Sequence, residues 1–91
     1  MAIEIRLPTL LRSRADGNKS VEVSGGTLAE VLDDLARQYP QFSGQVVSDD
    51  GELHKFINVY LNDDDVRFLG KLETPVKDGD TISLLPAVAG G

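Results

Sequence analysis

Apolar and polar residues change their rhythm several times along this chain, and each change marks an element. Ile3, Ile5 and Leu7 alternate with Glu4 and Arg6. A period of two is the sign of a strand with one buried face. Pro8 lacks an amide to donate and should end the ladder. Leu10 and Leu11 are predicted to tuck under the sheet edge. Residues 12–18 are polar and contain Asp16-Gly17, a hairpin-type turn signal. Val21 and Val23 then alternate with Ser20, Glu22 and Ser24. The first two strands are therefore expected to form an antiparallel hairpin with a longish loop.

Gly25-Gly26 breaks the second strand, and the period shifts to that of a helix. Leu28, Val31, Leu32 and Leu35 fall at i, i+3, i+4 and i+7, while Glu30, Asp33, Asp34 and Arg37 face the other way. Thr27 and Glu30 have the T-x-x-E spacing of a capping box, in which each side chain satisfies one orphan amide at the helix start. Pro40 ends the segment, because the residue before a proline is pushed out of helical geometry. The spacing predicts a helix over 27–38. Its apolar stripe needs a partner surface, which the inward residues of the strands supply.

Residues 41–55 are rich in Ser, Asp and Gly and read as irregular, anchored by Phe42, Val46 and Leu53. Residues 56–62 alternate again. Ile57, Val59 and Leu61 point one way; Phe56, Asn58 and Tyr60 point the other. Asn62-Asp63-Asp64-Asp65 is a turn, and Val66, Arg67 and Phe68 suit a short strand. Asp78-Gly79-Asp80 is a further turn. A last strand over 81–86 directs Ile82 and Leu84 inward and Ser83 and Leu85 outward. The order β-β-α-β-β-β lacks the alternation of an all-parallel α/β fold. It predicts an α+β fold with one helix packed across a mixed sheet. The first and last strands should lie side by side in the middle.

After this strand the pattern stops. Ala87, Val88, Ala89, Gly90 and Gly91 carry no charge and nothing large. A chain end is usually polar, since polar residues stay soluble without a core. Five extended residues reach roughly 17 Å, and glycine lets a backbone thread a narrow channel. The expected organisation is a folded domain over 1–86 and a flexible tail over 87–91. The tail would enter the active sites of partner proteins and present the α-carboxylate of Gly91 as the reactive group.

Composition narrows the field. Ninety-one residues make one small domain. There is no cysteine, which removes disulfides, thiolate metal sites and any internal thiol nucleophile. A formal net charge of −6 argues against nucleic acid and against an anionic membrane surface. It suits a protein partner with a basic docking face. No apolar run approaches a membrane span. Met1-Ala2-Ile3-Glu4 shows no secretory pattern, so a cytoplasmic location is expected. Asp63-Asp64-Asp65 lacks the spacing of a calcium loop and reads as a solvated turn, with Arg67 bracing its carboxylates. His54, the only histidine, has no recognisable catalytic constellation around it. No metal site and no catalytic residue is expected within the chain. The outward Phe56, Tyr60 and Leu85 are candidates for an exposed docking patch, unless the 41–55 segment covers them.

The β-β-α-β-β-β order, Asp78-Gly79-Asp80, the apolar last strand and the terminal Ala89-Gly90-Gly91 together resemble a ubiquitin-like β-grasp protein. More narrowly, they resemble the ThiS/MoaD family of sulfur carriers. Leu7-Pro8-Thr9, the stretches 53–60 and 62–68, and the ending Leu85 to Gly91 are similar to the actinobacterial CysO type of that family. The resemblance implies that ATP is consumed by an activating partner, an adenylyltransferase and sulfurtransferase of the ubiquitin-activating type. The Gly91 carboxylate would become an acyl-adenylate and then a thiocarboxylate. The sulfur would go to an accepting synthase, either a pyridoxal-phosphate cysteine synthase or a thiosugar synthase. A zinc metalloprotease would release cysteine. No cofactor would be bound by the chain, which would be a protein cosubstrate and not an enzyme. Two other uses fit the same residues: a protein modifier joined to targets through Gly91, and a β-grasp binding module with an inert tail.

Overall fold

The computed structural model describes residues 3–44, 46–48, 51–54 and 57–86. Strands β1 (Ile3–Arg6), β2 (Ser20–Val23), β3 (Ile57–Leu61), β4 (Asp64–Asp65) and β5 (Thr81–Pro86) form one sheet in the order β2-β1-β5-β3-β4. Helix α1 (Leu28–Gln38) follows β2. β1 and β2 are antiparallel, with Ile5 opposite Val21. β1 and β5 are parallel, with Ile5 opposite Ile82. β5 and β3 are antiparallel, with Ile82 opposite Leu61 and Leu84 opposite Val59. The expected mixed sheet, hairpin and central pairing of first and last strands are all present.

The registers turn alternation along each strand into apolar rows across the sheet. Val21, Ile5, Ile82 and Leu61 make one such row on the inner face. The helix sets Leu28, Val31, Leu32 and Leu35 against this face, and all four are buried. Phe42 and Val46 are buried in the same core, and Leu53 packs against it half-exposed. Fully burying one aliphatic side chain is worth about 1.5–3 kcal/mol, so this two-layer contact is the main source of stability.

The helix start differs in one detail from the expected box. Thr27 Oγ1 accepts from the Glu30 amide at 3.3 Å, as a cap should. The Glu30 carboxylate accepts from the Gly26 amide at 2.6 Å, one residue before the cap. Gly25 allows the tight approach that makes this possible. A Cβ placed there would lie 2.8 Å from Glu30 Cβ and 2.9 Å from the Val31 amide nitrogen.

Two local expectations are corrected. Thr9–Ala15 is a 3-10 helix, and only Leu11 of its leucine pair is buried; Leu10 is 75% exposed. The eclipsed side chains of a 3-10 turn cannot send neighbouring residues to one side. Asp16 and Gly17 both adopt left-handed angles, so the turn falls where it was expected. Residues 66–68 are also a 3-10 turn, and the short strand is β4 just before it. Three residues are too few for periodicity to separate strand from turn. Phe56 and the 87–91 tail lie outside the described residues.

Leu84 is 1% exposed beneath the last strand. Leu84→Ala should cost about 2–5 kcal/mol, seen as a lower urea midpoint with an unchanged denaturant slope. A loss below 1 kcal/mol would mean that this strand is not part of the common core.

Candidate functional site

The outer face of the sheet carries the residues that alternation sends away from α1. Ser20, Arg6, Ser83, Tyr60 and Asp65 make one row across all five strands. The next row towards the end of β5 contains Asn58 opposite Leu85. The row in the other direction places Glu4 opposite Glu22, a like-charge pair that is unfavourable when directly opposed. An exposed Arg6–Glu4 contact at 3.6 Å offsets part of that repulsion. The face is therefore acidic at the end where β5 begins and becomes basic and apolar where β5 ends.

The sequence candidates Tyr60 and Leu85 both lie on this face. Tyr60 is half-buried and Leu85 is 46% exposed. They are diagonal cross-strand neighbours, since Tyr60 is opposite Ser83, a separation that long side chains bridge. The root of the tail also borders a shallow concavity of about 460 Å³ that inspection of the sequence missed. Pro8, Leu10, Leu85 and Pro86 give it apolar walls, and Arg6 and Arg12 give it positive charge. Leu7 donates its amide to Lys19 O at 2.8 Å and accepts from Arg12 Nε at 3.2 Å, which holds this wall in place. In a chain of net charge −6 this is a local exception. It can receive a partner surface that combines apolar and acidic groups.

Arg67 has a different role from the one its sequence position suggested. Its guanidinium does not brace the aspartates. It donates to Ile57 O at 2.8 Å, Asn58 Oδ1 at 2.7 Å and His54 O at 3.4 Å. Asp65 Oδ1 instead accepts from the Arg67 amide at 2.9 Å. The planar, forked donor set of arginine suits this arrangement. β4 pairs only with Tyr60 and Leu61 of β3, so among the described residues the edge of β3 near Ile57 has no neighbouring strand. Arg67 covers it. On the opposite edge, Gln38 Nε2 donates to Glu22 O at 2.8 Å and Asp34 Oδ2 accepts from the Ser24 amide at 3.0 Å. Side chains thus occupy backbone groups at both edges, which disfavours strand addition there. The outer face and the loops carry no such capping of strand edges.

Asp80 is buried in the turn that starts β5. Its carboxylate accepts from the Lys77 amide at 2.9 Å and from Asn62 Nδ2 at 3.4 Å. Asn62, in a left-handed conformation, accepts from the Thr81 amide through Oδ1 and donates its own amide to Thr81 O. These contacts lock the β3–β4 turn to the start of β5. Among the described residues no helix is long and apolar enough to cross a membrane.

Arg67→Ala should cost about 1.5–3 kcal/mol, the range for hydrogen bonds from a charged donor. Arg67→Lys should recover less than half of it, for want of the fork. Chemical denaturation of both variants checks this, and full stability in Arg67→Ala would contradict the edge-covering role.

Comparison with known proteins gives a consistent result. Residues 5–91 match the ThiS family. Sulfur carrier protein CysO of Mycobacterium tuberculosis is 47% identical over 93 residues, covering all of both chains. A chain of the Amycolatopsis orientalis BexX/CysO complex superposes with a TM-score of 0.91 at 50% identity, over 99% of this chain and 100% of that one. Small archaeal modifier protein 3 of Haloferax volcanii is 33% identical over 94 residues, again covering all of both. With the ubiquitin-like β-grasp sheet and helix described above, this chain belongs to the ThiS family.

Proposed function

We propose that this protein is a sulfur carrier that works through the carboxylate of Gly91. The observation that supports this most is the end-to-end 47% identity with the sulfur carrier protein CysO of Mycobacterium tuberculosis. The chemistry has a defined order. A carboxylate is a poor electrophile, because it is anionic and its leaving group is oxide. Its oxygen attacks the α-phosphorus of ATP held by an activating enzyme of the ubiquitin-activating type, and pyrophosphate departs. Hydrosulfide supplied by a donor then attacks the acyl carbon, AMP departs, and the sulfur's proton is lost to water. The product is a terminal thiocarboxylate. It stays ionised at neutral pH and is a softer nucleophile than the carboxylate, for the reasons that make thiolates reactive.

The next partner is an accepting synthase, whose electrophile takes the sulfur to make cysteine or a sulfur-containing metabolite such as a thiosugar. In the cysteine case the sulfur bonds to a three-carbon amino-acid acceptor as a thioester of Gly91, the acyl group shifts from sulfur to nitrogen, and a zinc metalloprotease hydrolyses the resulting amide to free cysteine. The chain itself is a cosubstrate of these enzymes and works in the cytoplasm. Ala87, Val88, Ala89 and Gly90 lead Gly91 into each partner's cleft. Tyr60, Leu85 and Phe56 form the docking patch, beside the Arg6 and Arg12 concavity. A second use, as a protein modifier joined through Gly91, is supported by the full-length similarity to small archaeal modifier protein 3. It shares the adenylation step.

The purified chain, the activating enzyme encoded in the same genome and ATP should together exchange labelled pyrophosphate into ATP. Deleting Gly90 and Gly91 should abolish this exchange without lowering the melting temperature. Exchange that persists in the truncated chain would contradict the role of Gly91, and its absence in the intact chain would favour an inert binding module.

A further inference from the structure

Phe68 is the most exposed large apolar side chain among the described residues, at 87%, and its neighbour Leu69 is 50% exposed. Neither lines the concavity at the tail root. Both follow β4, at the edge of the sheet farthest from β2. Isolated exposed apolar residues are ordinary. Two adjacent ones on a braced support are less so.

The support is fixed from both sides. Val66 is completely buried, and Arg67 is tied to Ile57 and Asn58. The Leu69 amide donates to Val66 O at 3.0 Å. The buried Thr74 then crosses the loop: its hydroxyl accepts from the Gly70 amide at 3.0 Å and donates to Lys71 O at 2.7 Å. Thr74 O in turn accepts from the Leu28 amide at the start of α1, at 2.9 Å. Lys71 is held at φ +52°, a left-handed conformation that costs a residue with a side chain. Strain of this kind persists only where the surroundings enforce it, and it concentrates at sites of interaction. The loop is rigid enough to offer Phe68 at little ordering cost.

We propose that Phe68 and Leu69 form a second anchor for the activating enzyme, seated in an apolar pocket that is rimmed by lysine or arginine and separate from the cleft that takes the tail. This inference rests on the carrier reading above. The charge around the anchor selects the occupant. Residues 63–73 hold four carboxylates, Asp63, Asp64, Asp65 and Glu73, against Arg67 and Lys71. Arg67 is already engaged with β3. Asp63 and Asp64 are exposed and make no ion pair with another described residue. A second copy of this chain would bring the same acidic rim to the contact, and two bodies of net charge −6 repel. A basic rim is complementary.

The sheet also sets the distance. Arg67 is bonded to Asn58, which stands opposite Leu85 just before the tail. From β4 to β5 is two strand spacings, about 10 Å. One protein can therefore hold the tail in a cleft and the anchor in a neighbouring pocket. The activating enzyme is the partner that meets the tail with its carboxylate still unmodified. It must take its discrimination from the folded body.

Pyrophosphate exchange measured against chain concentration tests this, using the activating enzyme of the same genome with the wild type, Phe68→Ser and Phe68→Leu. Phe68→Ser should raise KM for the chain by about tenfold or more, as loss of an interface anchor does. It should leave kcat and the melting temperature unchanged, and Phe68→Leu should restore most of the affinity. Replacing Asp63 and Asp64 by asparagine should raise KM at low ionic strength and have little effect at high salt. Equal KM for Phe68→Ser and the wild type would overturn the anchor and leave the carrier reading standing. A KM rise matched by a lower melting temperature would also overturn it, as a structural effect. Failure of the wild type to support exchange would overturn both readings.

Discussion

The parallel pairing of β1 with β5 is the contact on which the rest of this structure depends. Glu4, Ile5 and Arg6 meet Thr81, Ile82 and Ser83 across nearly the whole length of the sequence. Such a contact closes a long loop and gains little until the intervening elements are in place. Once formed, it puts the last strand in the interior of the sheet, with β1 on one side and β3 on the other. Ile82 and Leu84 are then sealed beneath α1. The strand that leads to the proposed reactive tail is thereby among the best-fixed parts of the molecule up to Pro86. The direction in which β5 ends at Pro86 is therefore fixed relative to the outer face.

That arrangement divides labour between the body and the tail. The body has no need of a catalytic constellation, since adenylation and sulfur transfer belong to partner active sites in the proposed mechanism. What it must supply is recognition. The outer face changes from acidic Glu4 and Glu22 at one end to Arg6, Arg12 and Leu85 at the other. The Phe68 loop adds a separate apolar feature with an acidic surround. Backbone groups at both sheet edges are occupied by Gln38, Asp34 and Arg67, so contacts fall on side chains and not on added strands. Surfaces of opposite sign on one small domain allow different partners to use different faces.

Much of this was legible in the sequence because burial imposes a simple period on it. The alternation around Ile3, Val21, Val59 and Ile82 fixed the strands, and the spacing of Leu28, Val31, Leu32 and Leu35 fixed the helix. The candidate Tyr60 and Leu85 also came from alternation, and both lie on the outer face. What was not legible lies where no period operates. The 3-10 turns at 9–15 and 66–68 are set by packing of single residues, Leu11, Ala15 and Val66, and a triplet carries no rhythm. Phe68 reads as a strand residue until the turn exposes it. Arg67 stands beside three aspartates in sequence, yet its guanidinium reaches back to β3, because the carbonyls of an uncovered edge need a donor and solvated carboxylates do not. Partners distant in sequence cannot be read from local charge.

The central claim is that Gly91 carries the sulfur. Its most direct test is the intact mass of the protein isolated from its native host, with fragmentation from the C-terminus and a thiol-alkylating reagent. The account predicts a gain equal to the difference between one sulfur and one oxygen, placed at Gly91 and alkylated there. Oxidation of Met1 gives nearly the same gain, so the position is decisive. An unmodified Gly91 in cells with active sulfur metabolism, with any added mass confined to Met1, would contradict it.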